Sequence, residues 1–234
     1  MGHRTTYTRW NQMVAKLPGS SHDRHKISRC GNLRSRGSKP PNPVKCRTGV
    51  PRLHLYRHAT QAVFGEGRAG APIVMLGEQP GDQEDRAGRP FVGPAGTLLN
   101  RALADAGIDR SDIYITNAVK HFKFEERGKR RIHKKPTAAE VVACRPWLQA
   151  ELERLRPEVL VCLGATALQS VFGNRYRVLK DRGHFFEHPM AKAATVTVHP
   201  AAILRASGVT QRETDYQAFV KDLSAVRLKL AELA

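Results

Sequence analysis

The chain has 234 residues, enough for one α/β domain with a sizeable core, and we expect a single folded domain. Its 39 Lys and Arg residues outnumber its 21 Asp and Glu residues, so the formal net charge of +18 favours a polyanionic partner. The sequence contains no apolar run of about 20 residues and no apolar signal region near its start. These features argue against a membrane or secreted protein, and we expect a cytoplasmic monomer with no membrane partner and no obligate protein partner.

The net charge lies mainly in two segments. Residues 1–60 contain 13 Lys and Arg residues and one acidic residue, Asp23, a net charge of +12. Residues 120–135, which read as an internal loop, contain eight basic and two acidic residues, a net charge of +6. A polyanion is therefore expected to bind at one or both of these segments.

The first segment has the composition of a disordered chain. Residues 1–50 are rich in Arg, Ser, Gly and Pro and have no sustained apolar period, so we predict a disordered leader followed by a domain at residues 51–234. The leader is either a nucleic-acid-binding tail or translated sequence that adds nothing to the fold.

From residue 71 onward, short apolar runs alternate with segments of helical period. The apolar runs predict four strands, and the periodic segments predict helices that include a capping box of Thr137 and Glu140 and an end at Gly107. The strands are expected at residues 71–78, 112–120, 158–164 and 195–200, and the helices at residues 93–107, 137–156, 165–173 and 201–206 and over the last 25 residues. The alternation indicates a three-layer α/β/α sandwich with a central, mainly parallel four-stranded sheet.

In a parallel sheet of this kind, ligands bind beyond the carboxyl ends of the strands. The loop after the first strand carries five polar side chains: Glu78, Gln79, Asp82, Glu84 and Asp85. Its clustered carboxylates could hold a metal, act as general bases or only solvate the loop. Glu78 follows the buried strand directly, so its carboxylate is the one most suited to a base or an electrostatic stabiliser.

Two further side chains could recognise a planar base. Phe91 lies among glycines and prolines in "GRPFVGPAG", where its ring either stacks on a ligand or packs under its own loop. Asn117 ends the second strand, where its amide either reads the edge of a pyrimidine or completes a turn.

Five segments in order resemble one family. The segments "GEQPGDQEDRAGRPFVGPAG", "TNAVKHFKF", "GKRRIH", "VVACRPWL" and "VTVHPAAILR" are similar to those of the uracil-DNA glycosylase superfamily, specifically its iron–sulfur family 4 and the UdgX branch. The resemblance runs from about Leu55 to Leu230, and the "KRRIH" segment is typical of UdgX. It implies that the partner is uracil-containing DNA, with accessible or single-stranded uracil preferred.

The resemblance also implies roles for individual residues. Phe91 is expected to stack on a flipped uracil, Asn117 to read its edge, His199 to donate to the departing base, and Glu78 to act as the catalytic carboxylate. Substrate contacts are also expected from the loop after the first strand: Gln79, Asp82 and Asp85.

In UdgX-type proteins the histidine of "KRRIH" replaces water and bonds to C1′ of the deoxyribose, so His133 is the candidate nucleophile. Positively charged side chains are expected to bind DNA phosphates without reading sequence: Lys120, Lys129, Arg130, Arg131 and Arg205.

A [4Fe–4S] cluster is implied by the same resemblance, with His121, Cys144 and Cys46 as candidate ligands. The sequence departs from the family pattern because Val50 and Leu53 stand where the CxxC pair of thiolates is expected. We therefore predict weak or no iron–sulfur absorption. Cys162 lies inside the third predicted strand and is expected to be a buried core thiol.

Other functions remain open at this point. The protein could be a conventional glycosylase that turns over, with His133 contacting only the DNA backbone, or a non-catalytic DNA-binding protein whose affinity depends on the leader. A sugar- or nucleotide-processing enzyme on the same α/β plan is a further alternative, since a fold does not determine a function.

Overall fold

The computed structural model describes residues 58–234. The predicted leader at residues 1–50 and the candidate ligand Cys46 lie outside the described residues.

A five-stranded sheet forms the centre of the domain. Its strands are β1 (Ile73–Gly77), β2 (Ile113–Asn117), β5 (Val159–Leu163), β6 (Phe185–His188) and β7 (Ala191–Thr197), in the spatial order β2-β1-β5-β7-β6. The first three and β7 are parallel and correspond to the four predicted strands, whereas β6 pairs antiparallel with β7 at the edge. The prediction of four strands was wrong because it missed β6, which has four residues and no apolar run of its own.

Seven α-helices accompany the strands in the described part of the chain. They are α1 (Asp82–Ala87), α2 (Pro94–Asp105), α3 (Ala138–Leu155), α4 (Ala165–Phe172), α5 (Val178–Asp181), α6 (Pro200–Leu204) and α7 (Val209–Leu233). The capping box of Thr137 and Glu140 begins α3 as predicted, and Gly107 has a positive φ of 71° just after α2.

Side chains alternate between the two faces of the sheet, and each face has its own core. Odd-numbered residues of β1, such as Ile73 and Met75, pack with α2 and α7, while even-numbered ones, such as Val74 and Leu76, pack with α3 and α4. The predicted three-layer α/β/α sandwich is confirmed. Cys162 is fully buried on the second face, as predicted.

The basic segment that was predicted as a loop is a β-hairpin. Strand β3 (Phe124–Arg127) pairs antiparallel with β4 (Arg130–His133), and Gly128 turns between them with a φ of 59°. Both strands are largely exposed and charged, so they lack the apolar alternation by which a strand is recognised in a sequence. None of the helices at residues 58–234 is long and apolar enough to cross a membrane.

Candidate active site

A cavity of about 540 Å³ opens at the carboxyl edge of the sheet. Its wall combines the ends of β1, β2 and β5 with the start of α6 and the end of the hairpin. Predicted site residues from five separate segments line it: Glu78, Gln79, Phe91, Asn117, His133, His199 and Arg205. Another cavity, of 630 Å³, shares Phe91 but none of the other predicted site residues, so the first is the candidate active site.

The floor of the cavity depends on a glycine that sequence reasoning did not single out. A Cβ atom on Gly77 would lie 2.3 Å from Oδ1 of Asn117 and 2.7 Å from Cζ of Phe91. The ring and the amide therefore approach the end of β1 more closely than any side chain there would allow.

The loop that carries Phe91 is held by buried contacts. Phe91 itself has a φ of 54°, a strained conformation for a residue other than glycine that costs about 1–3 kcal/mol. Glu84 accepts hydrogen bonds from the backbone N–H groups of Gly81, at 3.0 Å, and Gly93, at 2.8 Å. Gly96 allows close packing, because a Cβ atom there would lie 1.7 Å from the carbonyl oxygen of Phe91. Gly96 was not predicted, and Glu84 was predicted only as one of the clustered carboxylates of the loop after the first strand.

Asn117 offers an unused acceptor to the cavity. Its side chain is 2% exposed, and Oδ1 has no hydrogen-bond partner among the described residues. A buried acceptor without a partner is costly, so a ligand N–H group is expected to bind it.

The prediction that Lys120 binds DNA is wrong. Its side chain is buried, and Nζ donates to a carboxylate oxygen of Glu151, to Oγ1 of Thr116 at 2.8 Å and to the backbone carbonyl of Asn117 at 2.8 Å. Through these contacts Lys120 stabilises the end of β2. This ion pair could not be predicted from the sequence, because Glu151 lies 31 residues further along the chain.

His199 is held as a neutral donor. Its Nδ1 accepts a hydrogen bond of 3.1 Å from the backbone N–H of Ala201, so a neutral ring carries its hydrogen on Nε2. Desolvation, with smaller electrostatic contributions from the guanidinium of Arg205 and the nearby ring of His133, lowers the pKa of His199 to about 4. The ring is therefore neutral at pH 7, and its plane is tilted by 33° to that of Phe91 with 5.8 Å between the ring centroids.

Glu78 and His133 meet at the mouth of the cavity. Nε2 of His133 lies 3.3 Å from Oε1 of Glu78, while Oε2 of Glu78 accepts a hydrogen bond from the hydroxyl of Thr166. Desolvation lowers the pKa of His133 below its ordinary value of 6.5, the carboxylate of Glu78 opposes this shift, and Arg205 reinforces it. The imidazole is thus neutral at pH 7. Thr166 was not predicted as a site residue.

Charged residues attach the hairpin to helix α1. The guanidinium of Arg131 binds Asp82 through Nε and Asp85 through Nη1, the second at 2.7 Å. It also lies over the rings of Phe122 and Phe124. Since its side chain is 15% exposed and fully engaged, the prediction that Arg131 binds DNA phosphate is corrected: it is a structural clamp.

The predictions that Asp82 and Asp85 contact substrate are corrected for the same reason. Neither residue lines the cavity, and Asp85 is fully buried, where it also accepts from the backbone N–H of Thr60. Gln79 does line the cavity, but its amide is occupied as well. It donates to the carbonyls of Lys123 and Lys134 and so joins the end of β1 to the base of the hairpin.

The remaining predicted basic residues are exposed. Lys129 and Arg130 form the tip of the hairpin, and Arg205 lies at the rim of the cavity after α6. In the described part of the chain these three form no ion pair with an acidic side chain, so their charges are available to an anion.

The candidate cluster ligands do not form a complete set in the described residues. Cys144 is buried, and its sulfur accepts from the backbone N–H of Lys120, while Nδ1 of the neighbouring His121 is buried without a hydrogen-bond partner. Residues 58–234 contain no group of three or more His, Cys, Asp and Glu side chains that could hold a metal. The two side chains alone do not fit a [4Fe–4S] cluster, and the expectation of weak iron–sulfur absorption stays a prediction.

Comparison with known proteins identifies the family. The model of the uracil DNA glycosylase superfamily matches residues 64–224. The chain is 43% identical over 163 residues to a type-4 uracil-DNA glycosylase of Thermotoga maritima, a match that covers 69% of this chain and 80% of that protein. It is 38% identical over 168 residues to a type-4 uracil-DNA glycosylase of Archaeoglobus fulgidus, covering 69% and 79%, and 30% identical over 178 residues to a type-5 uracil-DNA glycosylase of Pyrobaculum aerophilum, covering 68% and 74%. The chain therefore belongs to the uracil DNA glycosylase superfamily.

Proposed function

We propose that the protein excises uracil from DNA and that Nε2 of His133 then bonds to C1′ of the deoxyribose, as in the UdgX branch that the sequence resembles. The observation that carries this proposal is the distance of 3.3 Å between Nε2 of His133 and Oε1 of Glu78, at the mouth of the cavity lined by Phe91, Asn117 and His199. A nucleophile and a carboxylate thus face the position that the sugar of a flipped nucleotide would occupy.

Recognition of uracil uses the floor of the cavity. Uracil must leave the stack before its glycosidic bond can be reached, and the ring of Phe91 offers a surface for the extruded base. The unpartnered Oδ1 of Asn117 accepts the N3–H of uracil, and Nδ2 donates to O4. Cytosine has an acceptor at N3, so the same amide orientation disfavours it.

Bond cleavage uses His199 and Glu78. As the bond between C1′ and N1 breaks, its electron pair leaves with uracil, and the Nε2–H of neutral His199 donates to the O2 atom on which negative charge develops. The carboxylate of Glu78, held by Thr166, stabilises the positive charge that develops on the sugar. The uracil anion then takes a proton from solvent.

Capture of the sugar uses His133. A neutral imidazole donates to Glu78 in the tautomer with hydrogen on Nε2. As Nε2 forms its bond to C1′, that proton passes to the carboxylate, so the product is a neutral alkylated imidazole joined to DNA. The hairpin is positioned for this step by the ion pairs of Arg131, and the exposed charges of Lys129, Arg130 and Arg205 hold the phosphates on either side.

A denaturing gel tests the proposal directly. The protein is incubated with single-stranded DNA that contains one uracil, heated in SDS and separated, with a His133→Ser variant and a His184→Ser control in parallel. His184 is exposed and lies outside the cavity, so the control removes a histidine without touching the site. We expect a heat-stable shifted band from the wild type and the control, and free uracil without that band from the His133 variant.

Two outcomes would contradict the proposal. Free uracil from the wild type without an adduct would indicate a glycosylase that turns over, with His133 contacting DNA only. Binding that is equal on uracil-free DNA, falls steeply with salt and is unaffected by Glu78→Gln or His199→Ala would indicate a non-catalytic DNA-binding protein.

A further inference from the structure

A second cavity, of about 630 Å³, lies on the other side of the loop that carries Phe91. Its walls are the segment at residues 66–68, the loop at residues 89–92, one face of α2 and the first residues of β2. Of the residues that line it, Phe91 alone also lines the candidate active site. Pockets for small molecules have volumes of about 300–1,000 Å³, so this cavity has room for a ligand of its own.

The wall formed by residues 66–68 is fixed to the edge of the sheet. The backbone N–H of Glu66 donates to the carbonyl of Ile115 at 2.9 Å, and the N–H of Ile115 donates to the carbonyl of Glu66 at 2.9 Å. A Cβ atom on Gly67, whose φ is 152°, would lie 2.5 Å from the carbonyl oxygen of Ile113. The wall therefore lies close against β2 and gives the cavity a defined shape.

One positive charge in the cavity has no acidic partner. Three arginines line it, and two of them are paired: Nη2 of Arg89 lies 2.6 Å from Glu66, and Nη2 of Arg68 lies 3.2 Å from Asp112. The third, Arg110, donates from Nη1 to a backbone carbonyl of β2 at 2.9 Å and forms no ion pair within residues 58–234. Since a guanidinium has five N–H groups, Arg110 keeps donors for an anion.

The rest of the lining suits a planar group with polar edges. Val92 is 38% exposed on the wall of the cavity, next to the apolar side chain of Pro90. Asn100 of α2 is exposed, and its amide forms no hydrogen bond with the described part of the chain. A nucleoside has the matching features, because its base has an apolar face and an edge that takes part in hydrogen bonds.

We propose that the second cavity binds a free nucleoside monophosphate. The phosphate binds Arg110, and the base covers Val92 within reach of the amide of Asn100. A phosphate monoester carries a charge of about −1.5 to −2 at pH 7, which is close to what one unpaired guanidinium beside two paired ones can accept. The site is independent of the proposed function, because it needs neither a flipped uracil nor His133.

Titration calorimetry with the full chain tests this site. The probe is adenosine 5′-monophosphate (AMP), with adenosine and inorganic phosphate measured separately. We expect AMP to bind at least about tenfold more tightly than either part, because it uses the guanidinium and the apolar wall together. Arg110→Gln should weaken AMP binding about tenfold or more through loss of a charge-assisted hydrogen bond, and Asn100→Ala should weaken it about fivefold.

Arg101→Gln is the matched control. Arg101 is an exposed residue of α2 that lines neither cavity, and its Nε lies 3.9 Å from Asp105. This variant removes the same charge as Arg110→Gln, so it measures the general attraction of an anion to a basic protein. Melting temperatures are compared for all variants, and Asn100→Ala, which removes no hydrogen bond within the described residues, tests the site if Arg110→Gln is unstable.

Three outcomes would overturn the second site. Equal losses of AMP binding in Arg110→Gln and Arg101→Gln would show general attraction to charge. Inorganic phosphate or adenosine that binds as tightly as AMP would rule out a nucleotide as the ligand. AMP binding that is lost in Asn117→Ala and kept in Arg110→Gln would place the nucleotide in the candidate active site.

The failures of the two proposals differ. A wild-type protein that binds AMP through Arg110 but releases no uracil overturns the proposed function alone. A wild-type protein that forms the adduct with uracil-containing DNA but binds no AMP overturns the second site alone.

Discussion

The two halves of the candidate active site are built by different forces. The base pocket, formed by Gly77, Phe91, Asn117 and His199, lies where buried strands end, and its shape depends on close packing. The hairpin that carries His133 is exposed and is attached to the domain by charged and polar side chains.

This difference separates two chemical steps. In the proposed mechanism, the pocket binds a base and assists its departure without the hairpin, since Asn117 and His199 are held by β2 and by the start of α6. In the proposed mechanism, capture of the sugar needs the hairpin in place, because His133 is the last residue of β4 and, among the described residues, its ring pairs with one acid, Glu78. Excision and capture should therefore respond differently to the same perturbation.

The largest effect is expected from a change at Gly77, the residue at the floor of the cavity that both Phe91 and Asn117 contact. In Gly77→Ala the new methyl group would overlap Oδ1 of Asn117 and the ring of Phe91. A displacement of about 1 Å in either group should slow excision about a hundredfold or more, and adduct formation with it. Single-turnover assays of uracil release and of the shifted band measure both, and a variant that kept full activity with an unchanged melting temperature would contradict the description of the floor.

A change in the hairpin should affect one step only. Arg131→Gln removes the ion pairs to Asp82 and Asp85 and leaves the buried carboxylate of Asp85 without its counter-charge. If about 2 kcal/mol of hairpin positioning is lost, the adduct formed per uracil released should fall about thirtyfold. The ratio of shifted band to free uracil measures this.

Arg127→Gln is the control for that variant, because Arg127 is also in the hairpin but, among residues 58–234, forms its ion pair with the exposed Glu125, at 3.5 Å. A proportional loss of excision and capture in the Arg131 variant would show that the two halves of the site are not separable.

The buried strands that carry the base pocket were predicted from the sequence, whereas the exposed hairpin that carries His133 was not. The four parallel strands and the helices between them were recognised because their burial imposes an apolar pattern, as in "IVMLG" of β1. The hairpin and the edge strand β6 have no such pattern, and "FEERGKRRIH" resembles a charged loop unless Gly128 is read as a turn between two four-residue strands.

Pairings between distant residues were the other failure. Arg131 was expected to bind DNA and Asp85 to bind substrate, yet they bind each other across 46 residues. Each charge looked free because its partner could not be located without the fold. The residues at the ends of buried strands, such as Glu78 and Asn117, were placed correctly at the carboxyl edge because that position follows from the topology of a parallel sheet.

The smallest of the expected effects is a difference in pH dependence between the two halves. Above pH 6.5 both His133 and His199 are neutral, so excision and capture proceed fully. The pKa of His133 is lowered by desolvation, so the ring stays in its reactive neutral form at pH 6.5 and loses that form only as the pH falls through the lowered value. His199 keeps its neutral form down to about pH 4, so uracil release continues after capture has declined. Below the pKa of His133, the adduct formed per uracil released should fall about tenfold for each pH unit.

Parallel measurements between pH 4.5 and 8 on one uracil-containing strand, at about half-unit intervals, give both quantities from the same reaction. If release and capture declined together, one group would control both steps. That result would contradict the assignment of release to His199 and of capture to His133.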